Sequence, residues 1–562
     1  MTLRETLSYS PVELAFGTSG LRGLVRDLTQ LEAAINTLGF LRFAVATGDL
    51  RPNATVCLAG DLRPSTAERV PEQGGRGAIL QAVQWAIEYS GMRARYLGRI
   101  PTPALMAFAV SRGLASVMVT GSHIPFDRNG IKFNKSAGEV LKSDEAPILQ
   151  AVAAAREELY GQPAAESPFD RDGMLQPGAT GPLPEPDPAG AHEYLARYLR
   201  AFPADRLRGH RVLVFQHSAV GRDLLTDVLR ALGAEVIVAG RSETFIPIDT
   251  EAISPGLLAE LQQLVDRYGG AAVAAVVSTD GDSDRPLVLG VEAGRVRFFS
   301  GDLLGAVVAD FLGARHVAVP INTNDAVERF LSSRGVAVTK TRIGSPYVVA
   351  ALREVGWEAN GGFLTACPLR IPGGGELDAL PTRDAFLPIL TALYASLARG
   401  VPLAALFAQL PPRFGRSDLL RPCPREASAA IMARVGAPRP NTRRVVFAPG
   451  KVTVEAADGT RWELPDEDRE ARPFGEYRRS IAELFPVAAG FGPVAWVDYL
   501  DGARIGFANG DVIHLRPSGN APEFRVYANA DSAARADEII RHAIGGRGVV
   551  RRLAVAGGAA VD

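Results

Sequence analysis

Over its first 400 residues the chain alternates short apolar runs with amphipathic stretches. Ala54–Ala59 (ATVCLA) and Ala115–Thr120 (ASVMVT) are apolar or β-branched and too short for buried helices, so they read as strands. Gly77–Tyr89 reads as a helix between them. This is the pattern of βαβ units around a buried parallel sheet. Residues 161–190 hold seven Pro and five Gly, a density that predicts a linker or surface crossing. The alternation restarts with a strand at Arg211–Phe215, a helix at Gly221–Leu232, and strands at Glu235–Ala239 and Ala271–Ser278. A third cycle has strands at His316–Ile321 and Val336–Thr341 and helices at Asp325–Ser333 and Pro346–Val355. The first two cycles match as a degenerate repeat: a polar loop arrives 61 residues after Asp61, at Ser122, and 63 after His217, at Asp280. Related domains, rather than a solenoid of short periods, account for that scale. Beyond about residue 410 the pattern changes. Val445–Val454 and Arg504–Leu515 are β-rich, and Ser532–Ile544 is helical with Asp531 as its expected N-cap. Strands grouped before a helix indicate a separate α+β domain.

A length of 562 residues allows about three to five domains. The formal net charge of −1 disfavours nucleic acid as the main partner. Cys57, Cys367 and Cys423 are too scattered for a disulfide framework or a CxxC metal site. No apolar leader and no charge-free run of 18 apolar residues occurs, which predicts a cytoplasmic protein with no membrane association. Of the 61 basic residues only five are Lys, yet Lys132 and Lys135 lie close together.

Five loops carry candidate chemistry. Thr120-Gly121-Ser122-His123-Ile124-Pro125, then Asp127-Arg128-Asn129-Gly130-Ile131-Lys132, follows a buried strand, where ligands bind in open α/β sheets. Ser122 is a candidate phosphoryl carrier, with His123 and Lys132 as proton-transfer candidates. Asp280, Asp282 and Asp284, ending in Arg285, crowd three carboxylates into one loop, and such a cluster calls for a hard cation such as Mg2+ or Ca2+. An EF-hand is excluded, because Arg285 and Val291 occupy its Gly and Glu positions. Arg516-Pro517-Ser518-Gly519-Asn520, closing with Arg525, suits a phosphate dianion. Glu358 and Asn360, followed by two glycines, suit vicinal sugar hydroxyls, and Arg22 lies in the glycine-rich FGTSGLRG segment.

Taken in order, FGTSGLRG, TGSHIPFDRNGIKF, DGDSDR, WEANGG and RPSGNAPEFRVY resemble the α-D-phosphohexomutases from Phe16 to Tyr527. The resemblance implies three related mixed α/β domains around a central cleft plus a C-terminal α+β domain. The corresponding bounds are 1–185, 186–297, 298–408 and 409–562. It implies a phosphorylated Ser122 and Mg2+ held by Ser122, Asp280, Asp282 and Asp284. Arg22, His123, Lys132 and Arg285 would line the reacting centre, with either His123 or Lys132 as general base. Glu358 and Asn360 would read the sugar, and Arg516, Ser518, Gly519, Asn520 and Arg525 would hold its distal phosphate. The implied reaction interconverts hexose 1-phosphate and hexose 6-phosphate through a 1,6-bisphosphate, with mannose preferred and glucose next. A phosphoglucosamine mutase, a non-catalytic sugar-phosphate-binding relative and an aspartyl phosphatase are the rival readings.

The chain departs from the family pattern in places. TGSHIP stands where TASHNP is common, Asn360 where Ser is usual, Asn520-Ala521 where Thr-Glu is common, and Ser345 where many relatives carry an active-site His. The chain also reads as longer than bacterial phosphomannomutases, with the excess in the Pro-rich crossing and around residues 420–495.

Overall fold

The computed structural model describes residues 1–17, 20–518 and 522–556. The chain forms two compact units. The first comprises Met1–Val319, Leu331–Thr339 and Gly344–Gln409; the second takes Pro320–Phe330, Lys340–Ile343 and the chain from Leu410 onward.

The first unit contains mixed sheets rather than the purely parallel ones that the apolar runs predict. In the first sheet Thr55–Gly60 pairs in parallel with Arg93–Arg99 and Ser116–Val119. Arg128–Lys135 and then Gly20–Leu24 continue it antiparallel. Helix Gln30–Ala46, capped by the Thr29 hydroxyl, packs against helices Ile79–Tyr89 and Glu145–Gly161. Phe40 stacks on Phe133 in the core beneath them. In the second sheet Arg211–His217 pairs in parallel with Glu235–Arg241 and Ala275–Thr279, and Pro286–Glu292 returns antiparallel. In a third sheet Val355–Trp357 pairs in parallel with His316–Pro320 and antiparallel with Phe363–Thr365, which pairs with Leu380–Asp384.

One arrangement therefore recurs three times. A strand that is parallel to one neighbour leaves through a loop and returns as the antiparallel other neighbour. These loops are residues 120–127, 280–285 and 358–362, three of the segments singled out in the sequence. The repeat is a repeat of this turn.

Some elements differ from expectation. The long apolar run at 271–278 starts with a 3₁₀ turn, Gly270–Ala272, and its strand is only Ala275–Thr279. The helix expected at Pro346–Val355 is Ser345–Ala351, because Val355 begins a strand. The Pro-rich stretch is irregular, yet Phe169 and Leu175 are buried in the core of the first sheet, so it is a packed crossing and not a loose linker.

The second unit holds an eight-stranded antiparallel sheet. Its order is Phe414–Leu420, Phe524–Ala530, Val512–Pro517, Ala503–Phe507, Val494–Asp498, Thr442–Ala448, Lys451–Ala456 and Arg461–Pro465. Helices Arg425–Val435, Ala533–Ile544 and Val549–Ala556 share its core. Ser532, not Asp531, caps helix Ala533–Ile544: its hydroxyl accepts from the Arg535 N–H at 3.2 Å. Asp531 instead pairs with Arg413.

Candidate active site

Ser122 is buried at φ +54°, a left-handed conformation that costs a non-glycine residue about 1–3 kcal/mol. Its surroundings fix it there. Its N–H donates to Thr120 Oγ1 at 2.8 Å, Thr120 donates to Asp61 Oδ2 at 2.7 Å, and Thr66 donates to Asp61 Oδ1 at 2.7 Å. Arg63, fully buried, donates to the carbonyls of Ser122 (3.3 Å), Ile124 (2.9 Å) and Pro125 (2.6 Å). A Cβ on Gly121 would come within 2.7–2.9 Å of three guanidinium atoms of Arg63. Glycine at this position, where the family commonly has alanine, gives Arg63 its seat. Neither Asp61 nor Arg63 stood out as a site residue in the sequence; the Asp-Leu-Arg at the end of the strand Thr55–Gly60 was the available signal.

The Ser122 hydroxyl donates to Asp280 Oδ2 at 2.5 Å and lies 3.3 Å from His123 Nδ1. Asp280 Oδ1 accepts from the N–H groups of Asp284 and Arg285, both at 3.2 Å. Ser283, at φ +58°, turns away to Thr279 and to the Gly221 N–H, leaving the three aspartates on one side of the loop. One carboxylate oxygen from each of Asp280, Asp282 and Asp284 lies within 4.8 Å of the others. Lys132 Nζ donates to Asp282 Oδ2 at 2.5 Å and to Asp284 Oδ2 at 2.7 Å. Thr102 also donates to Asp282 Oδ2, at 2.6 Å. Asp282 Oδ1 and Asp284 Oδ1 are buried without a hydrogen-bond partner among the described residues.

Burial and the two neighbouring aspartates drive the Asp280 pKa well up, because a third close anion has too little positive charge beside it. Arg285 Nε approaches only to 3.9 Å from Asp280 and 3.6 Å from Asp284. Two buried carboxylate oxygens without a hydrogen bond, beside a third carboxylate within 4.8 Å, form a donor set that fits a hard divalent cation.

Burial also opposes the Asp284 anion, but Arg383, Lys132 and Arg285 outweigh it and hold that carboxyl below the usual range. Burial disfavours the Lys132 ammonium too, yet Asp282 and Asp284 outweigh it and raise its pKa. His123 is the reverse case: burial, then Arg285 and Arg22, push it down to about 2. Burial, Arg285 and Arg383 lower Arg22 to about 10. Arg22 sits on the strand paired with Gly130, where Gly20 lets the two backbones meet: a Cβ there would fall 1.9 Å from the Ile131 carbonyl.

Glu358 joins this cluster through Arg383, whose Nη1 donates to Glu358 Oε2 at 2.7 Å. Arg383 was not singled out in the sequence, where it sits in Pro381-Thr382-Arg383-Asp384 with no motif around it. Asn360 uses its side-chain oxygen to accept from the Gly362 N–H at 3.0 Å, shaping its own turn. Ser345 is buried and donates to Glu139 Oε2 at 2.8 Å, while Thr382 donates to Glu139 Oε1 at 2.6 Å.

Arg516, Ser518 and Arg525 belong to the second unit; Gly519 and Asn520 lie outside the described residues. The strands that carry the loop pair up to Pro517 and Phe524, and the Ser518 N–H donates to the Glu523 carbonyl at 2.9 Å. Arg516 donates to Asp501 at 2.8 Å, whereas Arg525 is 43% exposed and 3.6 Å from Glu523.

Comparison with known proteins agrees with this layout. Family models described as phosphoglucomutase/phosphomannomutase match at residues 13–159 (alpha/beta/alpha domain I), 300–414 (alpha/beta/alpha domain III) and 479–544 (C-terminal domain). A phosphomannomutase from Sinorhizobium fredii is 35% identical over 534 residues, covering 93% of this chain and 97% of that protein. This chain belongs to the α-D-phosphohexomutase family. A phosphomannomutase from Salmonella muenchen is 34% identical, covering 93% of this chain and 94% of the relative. A phosphoglucosamine mutase from Janthinobacterium sp. is 29% identical over 70% of this chain and 81% of its own length. The near-complete coverage corrects the expectation of excess length: the first two relatives are about as long as this chain. The crystal structure of a phosphoglucomutase/phosphomannomutase family protein from Burkholderia thailandensis shares the fold, with a TM-score of 0.64 at 16% identity, covering 97% of this chain and 98% of that one. Among the described residues no helix is long and apolar enough to cross a membrane.

Proposed function

We propose that this phosphohexomutase interconverts the 1- and 6-phosphates of a hexose, mannose first and glucose second, in the cytoplasm, with phospho-Ser122 as the phosphoryl carrier. The observation that carries the reading is the Ser122 hydroxyl 2.5 Å from Asp280, at the edge of three carboxylates with Lys132 and Arg285 beside them. Phosphoryl transfer needs in-line positioning and cations around the moving group, and Lys132 and Arg285 are the cations beside Ser122 and its aspartates. Asp280, Asp282 Oδ1 and Asp284 Oδ1, with a phosphoserine oxygen, would hold Mg2+. Bound there, the metal would supply Lewis-acid stabilisation of charge on the phosphoryl oxygens.

On this reading phospho-Ser122 passes its phosphoryl group to a free hydroxyl of the sugar phosphate, giving the 1,6-bisphosphate. The bisphosphate turns round, and Ser122 takes back the other phosphoryl group. Lys132, Arg22 and Arg285 hold the group in flight. His123, whose Nδ1 lies 3.3 Å from the Ser122 hydroxyl, and Lys132 are the two side chains placed to take the hydroxyl proton. Glu358 reads the sugar hydroxyls and Asn360 shapes the loop that presents it. Arg516, Ser518 and Arg525, with Gly519 and Asn520, hold the phosphate that does not react. The chain divides at 185, 297 and 408 into domains that supply one loop each.

The preference for mannose rests on the phosphomannomutase relatives, which match at 34–35% over 93% of the chain, against 29% over 70% for the phosphoglucosamine mutase. Side-by-side assays of the 1-phosphates of mannose, glucose and glucosamine, primed with hexose 1,6-bisphosphate and Mg2+, test it. Turnover of mannose and glucose substrates is expected; turnover confined to glucosamine phosphate would overturn the choice.

A further inference from the structure

Arg383 lies on strand Leu380–Asp384 with its side chain only 8% exposed, and it touches two different loops. Nε and Nη2 both donate to Asp284 Oδ2, at 3.1 and 2.9 Å, and Nη1 donates to Glu358 Oε2 at 2.7 Å. Lys132 reaches the same Asp284 oxygen at 2.7 Å. Three N–H donors therefore converge on Asp284 Oδ2, while Oδ1 makes no hydrogen bond among the described residues and lies 3.6 Å from Arg285 Nε. Glu358 is gripped through one oxygen, and its other oxygen takes no part in that contact.

The loop is cut to fit this arginine. A Cβ on Gly362 would fall 2.7–2.8 Å from Cβ, Cγ and Cδ of Arg383. The second glycine of Gly361-Gly362 thus makes room for the arginine stem. Gly361, at φ +84°, packs against Gly301, where a Cβ would fall 2.2 Å from the Gly361 nitrogen. The sugar loop is wedged between a helix start and Arg383.

We propose that Arg383 is a positioning residue that sets the Glu358 carboxylate in register with the Asp284 loop, and so fixes where the hexose ring sits relative to the transferring phosphoryl group. The proposal rests on the reading that Glu358 contacts the sugar. A planar guanidinium carries donors on two edges and so holds Asp284 by two N–H groups and Glu358 by a third; an ammonium on a lysine stem cannot reproduce that fork. Loss of Arg383 leaves Glu358 without its only ion-pair partner in the described residues and free to swing.

The test is steady-state kinetics on Arg383→Met, Arg383→Lys, Glu358→Gln and the Arg383→Met/Glu358→Gln double variant, using mannose 1-phosphate with hexose 1,6-bisphosphate and Mg2+. Circular dichroism would establish that each variant is folded. Arg383→Met is expected to raise KM at least about tenfold with a smaller loss of kcat, and Arg383→Lys to recover part of KM. The double variant is expected to be no worse than about threefold beyond the poorer single variant, because both remove one arrangement. A KM within twofold of wild type in Arg383→Met or, should that variant not fold, in Arg383→Lys would overturn the proposal while a raised KM in Glu358→Gln leaves the site reading standing. So would multiplying effects in the double variant. An unchanged KM in Glu358→Gln would bring down the site reading and this proposal together.

Discussion

The loops around Ser122 and the loop between Arg516 and Arg525 both gather cations, yet they are built differently. In the first unit Lys132, Arg285 and Arg383 are buried and placed on the aspartates or on Glu358. In the second unit Arg525 is 43% exposed, and Arg516 is tied to the single carboxylate of Asp501. Charges fixed in a low-dielectric cluster need no reorganisation when a phosphoryl group moves. On the proposed reading, a half-exposed arginine such as Arg525 suits a dianion that must arrive, leave and return with the sugar reversed, so that one cluster would serve chemistry and the other exchange.

Substitutions can break or sharpen that contrast. The largest effect belongs to Ser122→Ala, which is expected to lower kcat by at least about 10³-fold with the fold intact. Retained turnover would revive the phosphatase reading at Asp280. Asp282→Asn comes next, with about a 100-fold loss of kcat and weaker Mg2+ binding by calorimetry, since it removes a candidate ligand and a partner of Lys132. In the second unit Arg516→Met is expected to raise KM about tenfold and leave kcat within a few-fold. A loss of kcat as large as that of Asp282→Asn would erase the distinction between the two clusters.

The smallest effect concerns stability. Both units bury histidines held neutral: burial lowers His217 in the first and His514 in the second to about 4, from an ordinary value of 6.5. Such a group binds fewer protons folded than unfolded. Its contribution is full above pH 6.5 and is lost as pH falls towards 4. Thermal melts are expected to show a loss on the order of 3 kcal/mol per histidine across that window. Replacing His217 or His514 with Gln should flatten the dependence in its own unit.

Much of this was legible in the sequence for a physical reason. Ser122, Asp280, Asp282, Asp284 and Glu358 sit in loops straight after apolar runs, where polar clusters stand out. Arg383 and Arg63 did not stand out, because the partners Asp284 and Pro125 lie 99 and 62 residues away along the chain. The partner of Ser345, Glu139, was hidden in the same way, being 206 residues away. The strand directions were misjudged as well. An apolar run reports burial on both faces, which parallel and antiparallel neighbours satisfy equally. The helix cap was off by one residue, since Asp531 and Ser532 are both good caps and the ion pair with Arg413 claims the aspartate.

The central claim is that Ser122 carries the phosphoryl group, and mass spectrometry tests it most directly. The protein would be incubated with hexose 1,6-bisphosphate and Mg2+, digested, and its phosphate mapped. The account predicts one phosphate on Ser122 that disappears when excess mannose 1-phosphate is added and is recovered in sugar bisphosphate. Full turnover with Ser122 unmodified, or with the phosphate on an aspartate of the 280–284 loop, would contradict it.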